Sequence, residues 1–289
     1  MSIPAGQNSY TQDVISYYDM AEVSYRDIWD LNRSMALHYG YWDESVKSFP
    51  QSLHRMNHVL ASRLNPVPGS SILDAGCGVG GSSIFLAREF SCFTTGISLS
   101  EKQVASAKLN AERNSVEKQC TFLKADYLSM PFGPGSFDAV WALESVCHAE
   151  DKGLFLKEAF RVLRPGGKLV LSDGFRKAGL NFEEDQLLKR WLSGWSIIDL
   201  ETVERMEELA VKAGFVNVTS TDLSVQVRPT SLRLYRFGLL ARAYGKLRRM
   251  FGSSYGNEFT IRNTDGAVCQ YKALKKNLWG YFLFYAEKK

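Results

Sequence analysis

The sequence predicts an α/β fold with a mostly parallel sheet, and three observations support this. Short apolar runs alternate with helical patterns from about Ser71 to Gly174, the order of βαβαβ units. A glycine cluster stands where the first run ends, the usual strand-to-helix turn of such units. The chain has 289 residues, 45% of them hydrophobic, enough to bury a core with an appendage.

SSILDAG reads as the first strand and SSIFLAREF as the helix after it. CFTTGIS is the second strand, followed by the helix SEKQVASAKLNAERN. In that helix Ser100 and Gln103 have capping-box spacing, and Val104, Ala107 and Ala111 share one face. CTFLKAD and SFDAVWAL are the third and fourth strands. GLFLKEAFRVL is an amphipathic helix stopped by RPGG, and KLVLSDG is the fifth strand. A Trp-containing insertion runs from Phe175 to about Leu200. TVERMEELAVKAGF then reads as a helix closed by Gly214, VNVTSTDLS as a strand, and LWGYFLFYAEKK as a last strand. The first 70 residues are helical in pattern and rich in Tyr and Trp.

Net charge is +4, too small to imply a nucleic-acid partner. The five cysteines (Cys77, Cys92, Cys120, Cys147 and Cys269) have no metal-ligand spacing and suit free thiols in a reduced compartment. The N-terminus lacks the pattern of a secretory signal, and no apolar run reaches a membrane-spanning length. The expectation is a cytoplasmic protein.

The central motif runs Leu73-Asp74-Ala75-Gly76-Cys77-Gly78-Val79-Gly80-Gly81. Gly76, Gly78 and Gly81 satisfy G-x-G-x-x-G, a pattern shared with dinucleotide-binding folds. Asp74 argues against a pyrophosphate, which it would repel, and favours a ligand bearing an ammonium or sulfonium. The acid that would hold the ribose of a nicotinamide cofactor is missing, since the second strand ends Gly96-Ile97-Ser98.

ILDAGCGVGG, GISLSEKQ, KADYLSMPF, FDAVWALESVCHAEDK and VLRPGGKLVLSD stand in an order and spacing that resemble the class I S-adenosylmethionine-dependent methyltransferases. The branch they resemble contains the tocopherol, sterol and prenyl C-methyltransferases. The resemblance covers about residues 10–225. It implies a Rossmann-like sheet of seven strands, the last antiparallel, with S-adenosylmethionine as cofactor. Residues 1–65 would form an N-terminal helical lid. Residues 66–289 would form the core, with helical substrate-cap insertions at about 175–200 and 228–256.

Carried over by position, Gly76, Gly78 and Gly80 would line the methionine end of the cofactor. Ser98, Leu99 and Gln103 would meet its ribose and adenine side. Asp126, with Ala125 and Tyr127, matches the position that accepts from the adenine amino group. A plain strand-end turn is the alternative for Asp126. YYD at Tyr17-Tyr18-Asp19 and HYGYW from His38 resemble elements of the same family, and that resemblance implies Tyr18 and His38 near the cofactor.

Glu144 and His148, in E-S-V-C-H, are the candidate catalytic residues. If the acceptor is an alkene carbon, Glu144 would stabilise the cation or take its proton. Tyr39, Tyr41, Trp42, Trp191 and Trp195 would then surround that cation with π faces. If the acceptor is a hydroxyl or amine, His148 or Glu144 would act as general base. Two plainer readings stay open: Glu144 touches only the cofactor amine, and His148 is a hydrogen-bonded loop histidine.

His54 and His58 have metal-ligand spacing without a third ligand, so no metal is expected. The stretch 228–249 holds Arg228, Arg233, Arg236, Arg242, Lys246, Arg248 and Arg249 with no acid. It suits a diphosphate site, a basic face on a membrane surface, or solvated arginines over an apolar stripe. The expected partner is a small lipophilic acceptor, with or without a diphosphate. C-methylation of an isoprenoid leads, and O- or N-methylation of another natural product is the alternative. RNA methylation ranks lower, because no N/D-PPY/F sequence or RNA-binding module is present. Non-catalytic cofactor binding also stays open, and an aromatic N-terminal helix could pack against a second subunit.

Overall fold

The computed structural model describes residues 10, 12–17, 31–251 and 258–289. Its seven-stranded sheet comprises β1 Ser71–Ala75, β2 Phe93–Ser98, β3 Cys120–Lys124, β4 Phe137–Leu143, β5 Leu163–Arg176, β6 Phe215–Asp222 and β7 Trp279–Lys288. The spatial order is β3-β2-β1-β4-β5-β7-β6. The first five strands run parallel, and β7 inserts antiparallel to both β5 and β6. This is the Rossmann-like methyltransferase sheet expected from the sequence. It reverses direction at β1, where the chain winds first to β2 and later to β4. A crevice opens there beyond the carboxyl ends of the strands.

The helices are α1 Phe49–Leu64, α2 Gly81–Phe90, α3 Glu101–Arg113, α4 Lys152–Val162, α5 Phe182–Gly194, α6 Val203–Ala213, α7 Ser224–Met250 and α8 Glu258–Lys275. Alternation along β7 divides the core. Trp279, Tyr281, Leu283 and Tyr285 face a cluster shared with α1, α5, α7 and α8. Phe284 and Ala286 face the opposite cluster, built with α4 and α6.

Local chemistry sets the helix ends. Gly214 closes α6 in the left-handed region at φ 106°. Ser100 caps α3 by accepting from the Gln103 N–H, but the capping box is only half formed. The Gln103 side chain instead accepts from the Ser98 hydroxyl at 2.7 Å, which leaves Gln103 beside the end of β2. Helix α8 has no counterpart in the sequence reading, and it packs against both α5 and α7. No helix among the described residues is long and apolar enough to cross a membrane.

Candidate active site

The loop after β1 lies in the crevice. Gly76 (φ 93°) and Gly78 (φ 52°) take left-handed conformations that favour glycine. A Cβ on Gly76 would also lie 2.3 Å from that of Ser145. The chain can therefore pass close under the loop after β4.

That second loop is pinned from three sides. The Ser145 hydroxyl donates to the Ala75 carbonyl at 2.6 Å, and Tyr127 Oη donates to the Ser145 carbonyl at 2.9 Å. The Cys147 N–H donates to the Asp173 carboxylate at 2.8 Å. Glu144 itself sits at φ 51°, a strained position for a residue with a Cβ, held by its N–H bond to the Ser172 carbonyl.

Two cavities meet at this loop. The first is lined by Asp74, Gly76, Gly78, Gly81, Ser98 and Leu99. Gln103, Ala125, Tyr127 and His38 complete that side. The second has an aromatic group in its wall, Tyr39, Trp191, Trp195, Phe237, Trp279 and Tyr281, beside aliphatic and small residues such as Ile197, Leu200 and Ala267. Leu37, Glu144 and His148 line both. Neither lining contains a lysine or arginine among the described residues.

Burial governs the charges. Glu144 accepts through Oε1 from the Tyr39 N–H at 2.5 Å and from Tyr281 Oη at 2.7 Å. Loss of water nevertheless pushes its carboxyl well above the usual range. Asp74 is pushed up to about 6 by burial, opposed by the Ser83 hydroxyl that donates to it at 2.6 Å. Asp173 is likewise raised by burial to about 6. His148 is lowered to about 4 by burial, so its ring is neutral at physiological pH. Its Nδ1 faces the Ser196 carbonyl at 3.2 Å. A carbonyl only accepts, so Nδ1 carries the proton and Nε2 is the basic nitrogen. His38, also lowered to about 4 by burial, donates from Nδ1 to the Tyr39 carbonyl at 2.9 Å.

A buried glutamine braces the chamber. Gln270 Oε1 accepts from Tyr39 Oη at 3.0 Å and from the Ser231 hydroxyl at 2.5 Å. Its Nε2 donates to the Ser231 and Ala267 carbonyls. This network ties α7 and α8 to the segment whose N–H meets Glu144.

Most of the sequence-selected residues converge here, with several exceptions. Gly80 does not line the cavity. A Cβ there would press on Ala107 and Phe122 at 3.0 Å, so its glycine serves helix–sheet packing, and Gly81 lines the wall instead. Asp126 is also absent from the lining, and its Oδ1 accepts from the Leu128 N–H at 2.8 Å. Tyr41 and Trp42 lie outside the aromatic chamber, and Trp42 Nε1 donates to Thr230. Tyr18 lies outside the described residues. His54 and His58 meet each other at 3.0 Å on an exposed face, and no described group of three metal-ligand side chains exists.

Asp173, Trp279, Tyr281 and Gln270 were not singled out from sequence. The alternation that puts Trp279 and Tyr281 on one face of β7 was the available signal for two of them.

A carboxylate-bearing first cavity with no cation in its wall among the described residues fits a ligand carrying ammonium and sulfonium groups, and does not fit a pyrophosphate. Replacing Asp74 by Asn tests that electrostatic fit. Burial holds Asp74 about two pKa units above its unfolded value, a penalty of about 3 kcal/mol at neutral pH. Because the folded pKa is raised, this contribution favours the fold below pH ~4 and is lost as pH rises through ~6. The Asn variant is expected to melt higher at pH 7 and to bind S-adenosylhomocysteine roughly 10- to 100-fold more weakly by calorimetry.

The family model described as a methyltransferase domain matches residues 73–171, which span β1 to β5. The chain is 33% identical over 210 residues to 27-O-demethylrifamycin SV methyltransferase of Amycolatopsis mediterranei, covering 72% of this chain and 76% of that protein. It is 33% identical over 221 residues to cycloartenol-C-24-methyltransferase of Arabidopsis thaliana, covering 75% of this chain and 64% of that protein. Among solved structures, the 4+2 cyclase SpnF superposes with a TM-score of 0.78 at 26% identity, over 96% of each chain. The chain belongs to the class I S-adenosylmethionine-dependent methyltransferases, enzymes that transfer the cofactor's methyl group, here to small molecules.

Proposed function

We propose that this enzyme methylates a hydroxyl oxygen of a neutral, lipophilic small molecule, with His148 as the general base. The observation that carries the reading is the position of His148. It lies at the junction of the two cavities, with Nε2 fixed as its basic nitrogen by the Ser196 carbonyl. When bound, the cofactor supplies a sulfonium-borne methyl group for in-line displacement.

The chain's own residues do the rest. Gly76, Gly78 and Gly81 let backbone approach the ligand, with Asp74 and His38 beside them. Ser98, Leu99 and Gln103 serve its ribose and adenine side, with Ala125 and Tyr127. Glu144, held by Tyr39 and Tyr281, gives the cationic end a carboxylate. Helices α5, α7 and α8 cap the acceptor chamber and exclude water from it. His148 Nε2 takes the hydroxyl proton as the oxygen gains its methyl.

Two features disfavour a diphosphate acceptor. The chamber lining has no lysine or arginine among the described residues, and the Asp173 carboxylate in it would repel phosphate. Arginines of the basic stretch do not reach the chamber lining among the described residues. Arg233 stacks on Phe49 and Phe237, Arg242 pairs with Asp265, and Arg236 is exposed. Likeness to an enzyme named for a 27-O-demethyl substrate supports oxygen as the target.

A second reading is C-methylation of an alkene, with Glu144 taking the proton and Tyr39, Trp191 and Trp195 facing the cation. Likeness to a sterol C-24 enzyme supports it.

The test is a mass-spectrometric turnover screen with S-adenosylmethionine against hydroxylated lipophiles, sterols, prenylated hydroquinones and prenyl diphosphates. The proposal expects methylated products from hydroxylated neutral compounds. Turnover confined to prenyl diphosphates would refute it. The likeness to a cyclase makes mass-neutral isomerisation worth scoring in the same runs.

A further inference from the structure

Helix α7 carries a second apolar face that is largely exposed. Its packed face is Val227, Thr230, Ser231, Leu234, Gly238 and Gly245. Beside it, Phe237, Leu240, Tyr244, Leu247 and Phe251 follow one another at intervals of three and four residues. That spacing puts them in one stripe, about 21 Å long at 1.5 Å per residue. They are between 38% and 79% exposed. A solvated helix would carry polar side chains along such a line.

Charge accompanies the stripe. Arg233 lies over the Phe237 ring at its start, and Arg248 donates to Tyr244 Oη along its edge. Arg236 is exposed one turn before Leu240, and Lys246 and Arg249 are exposed near the helix end. The whole helix contains no acidic residue. Apolar side chains between cations match the boundary layer of a bilayer, where acyl chains lie beneath anionic headgroups. Nucleic acid would neutralise the cations but leave Leu240 and Leu247 in water.

Position gives the stripe a purpose. Phe237 belongs both to the stripe and to the chamber wall, where Leu234, Gly238 and Ala241 accompany it. The exposed face therefore begins at the rim of the acceptor chamber.

We propose that α7 docks this enzyme on anionic lipid surfaces, with Leu240, Tyr244, Leu247 and Phe251 inserted and the flanking cations at the headgroups. Docking sets the rim of the acceptor chamber against the reservoir in which a lipophilic acceptor dissolves.

The test is flotation of the full chain with vesicles of phosphatidylcholine alone, or of phosphatidylcholine mixed with phosphatidylglycerol. Binding to the mixed vesicles is expected to be at least about tenfold stronger and to weaken as salt rises. Leu240→Glu with Leu247→Glu is expected to lower it by about tenfold or more. S-adenosylhomocysteine affinity and melting temperature should stay unchanged, which excludes misfolding.

Equal recovery with both vesicle types, or unchanged binding by the double variant, would overturn the proposal. So would sedimentation showing a dimer that the double variant splits, because the stripe would then belong to a second copy. Capture by a tRNA pool without capture by vesicles would overturn it as well. The vesicle assay needs no acceptor, so its failure leaves the methylation reading standing.

Discussion

Replacing His148 with alanine is expected to lower kcat by about 10²- to 10⁴-fold, the usual contribution of a positioned general base. S-adenosylhomocysteine affinity should change little, and added imidazole should restore part of the rate. The buried ring is held near 4, so the base form is present above that pH and is lost as pH falls through it. The wild-type kcat profile should therefore show no inflection at the ordinary histidine value of about 6.5. A limb near 6 should appear in cofactor binding, where Asp74 titrates. Glu144→Gln separates the alternatives. It should chiefly weaken cofactor binding if the acceptor is a hydroxyl, but reduce kcat as severely as His148→Ala if an alkene carbon is methylated. A loss of less than about fivefold for His148→Ala would remove the base from the mechanism.

Gly78→Arg is expected to weaken cofactor binding by more than about 100-fold while the fold survives. A Cβ at Gly78 meets only Leu37 Cδ1, at 3.8 Å, so the substitution has room. The cost is a left-handed φ of 52° on a residue with a side chain, about 1–2 kcal/mol. Its guanidinium would enter a cavity whose lining has no cation among the described residues, where S-adenosylmethionine itself brings a sulfonium. Calorimetry with S-adenosylmethionine and a thermal melt check both halves. Binding within about tenfold of wild type would contradict the assignment of this cavity to the cofactor.

The sheet was legible because its signals are local. Apolar runs, caps and the glycine turn each mark one element, and the order of motifs fixed the family resemblance. The misses share a physical cause. Helix α8 buries Val268 and Leu274, but the rest of its buried face is Gly266, Cys269, Gln270 and Ala273, small or polar residues that leave only a weak apolar stripe. Gln270 is satisfied in its burial by four hydrogen bonds, one to Ala267 in its own helix and three to Tyr39 and Ser231 in distant parts of the chain. Such a partner set cannot be read from spacing. Gly80 and Asp126 sit within site motifs yet face packing and a local turn. A motif gives residue order along a loop, whereas the side each residue presents depends on what packs behind it, here Phe122 and Ala107. The capping box failed in a similar way, because the Ser98 hydroxyl claimed the Gln103 oxygen. The strained Glu144 is legible only from the fold, since nothing in E-S-V-C-H announces a left-handed backbone.

Transfer of the methyl group at His148 onto oxygen is tested with cofactor labelled with carbon-13 in the methyl group, followed by carbon NMR of the products from the turnover screen. One new resonance is expected in the methoxy region, lost in His148→Ala. A resonance in the carbon-bound methyl region, surviving in His148→Ala and lost in Glu144→Gln, would contradict it.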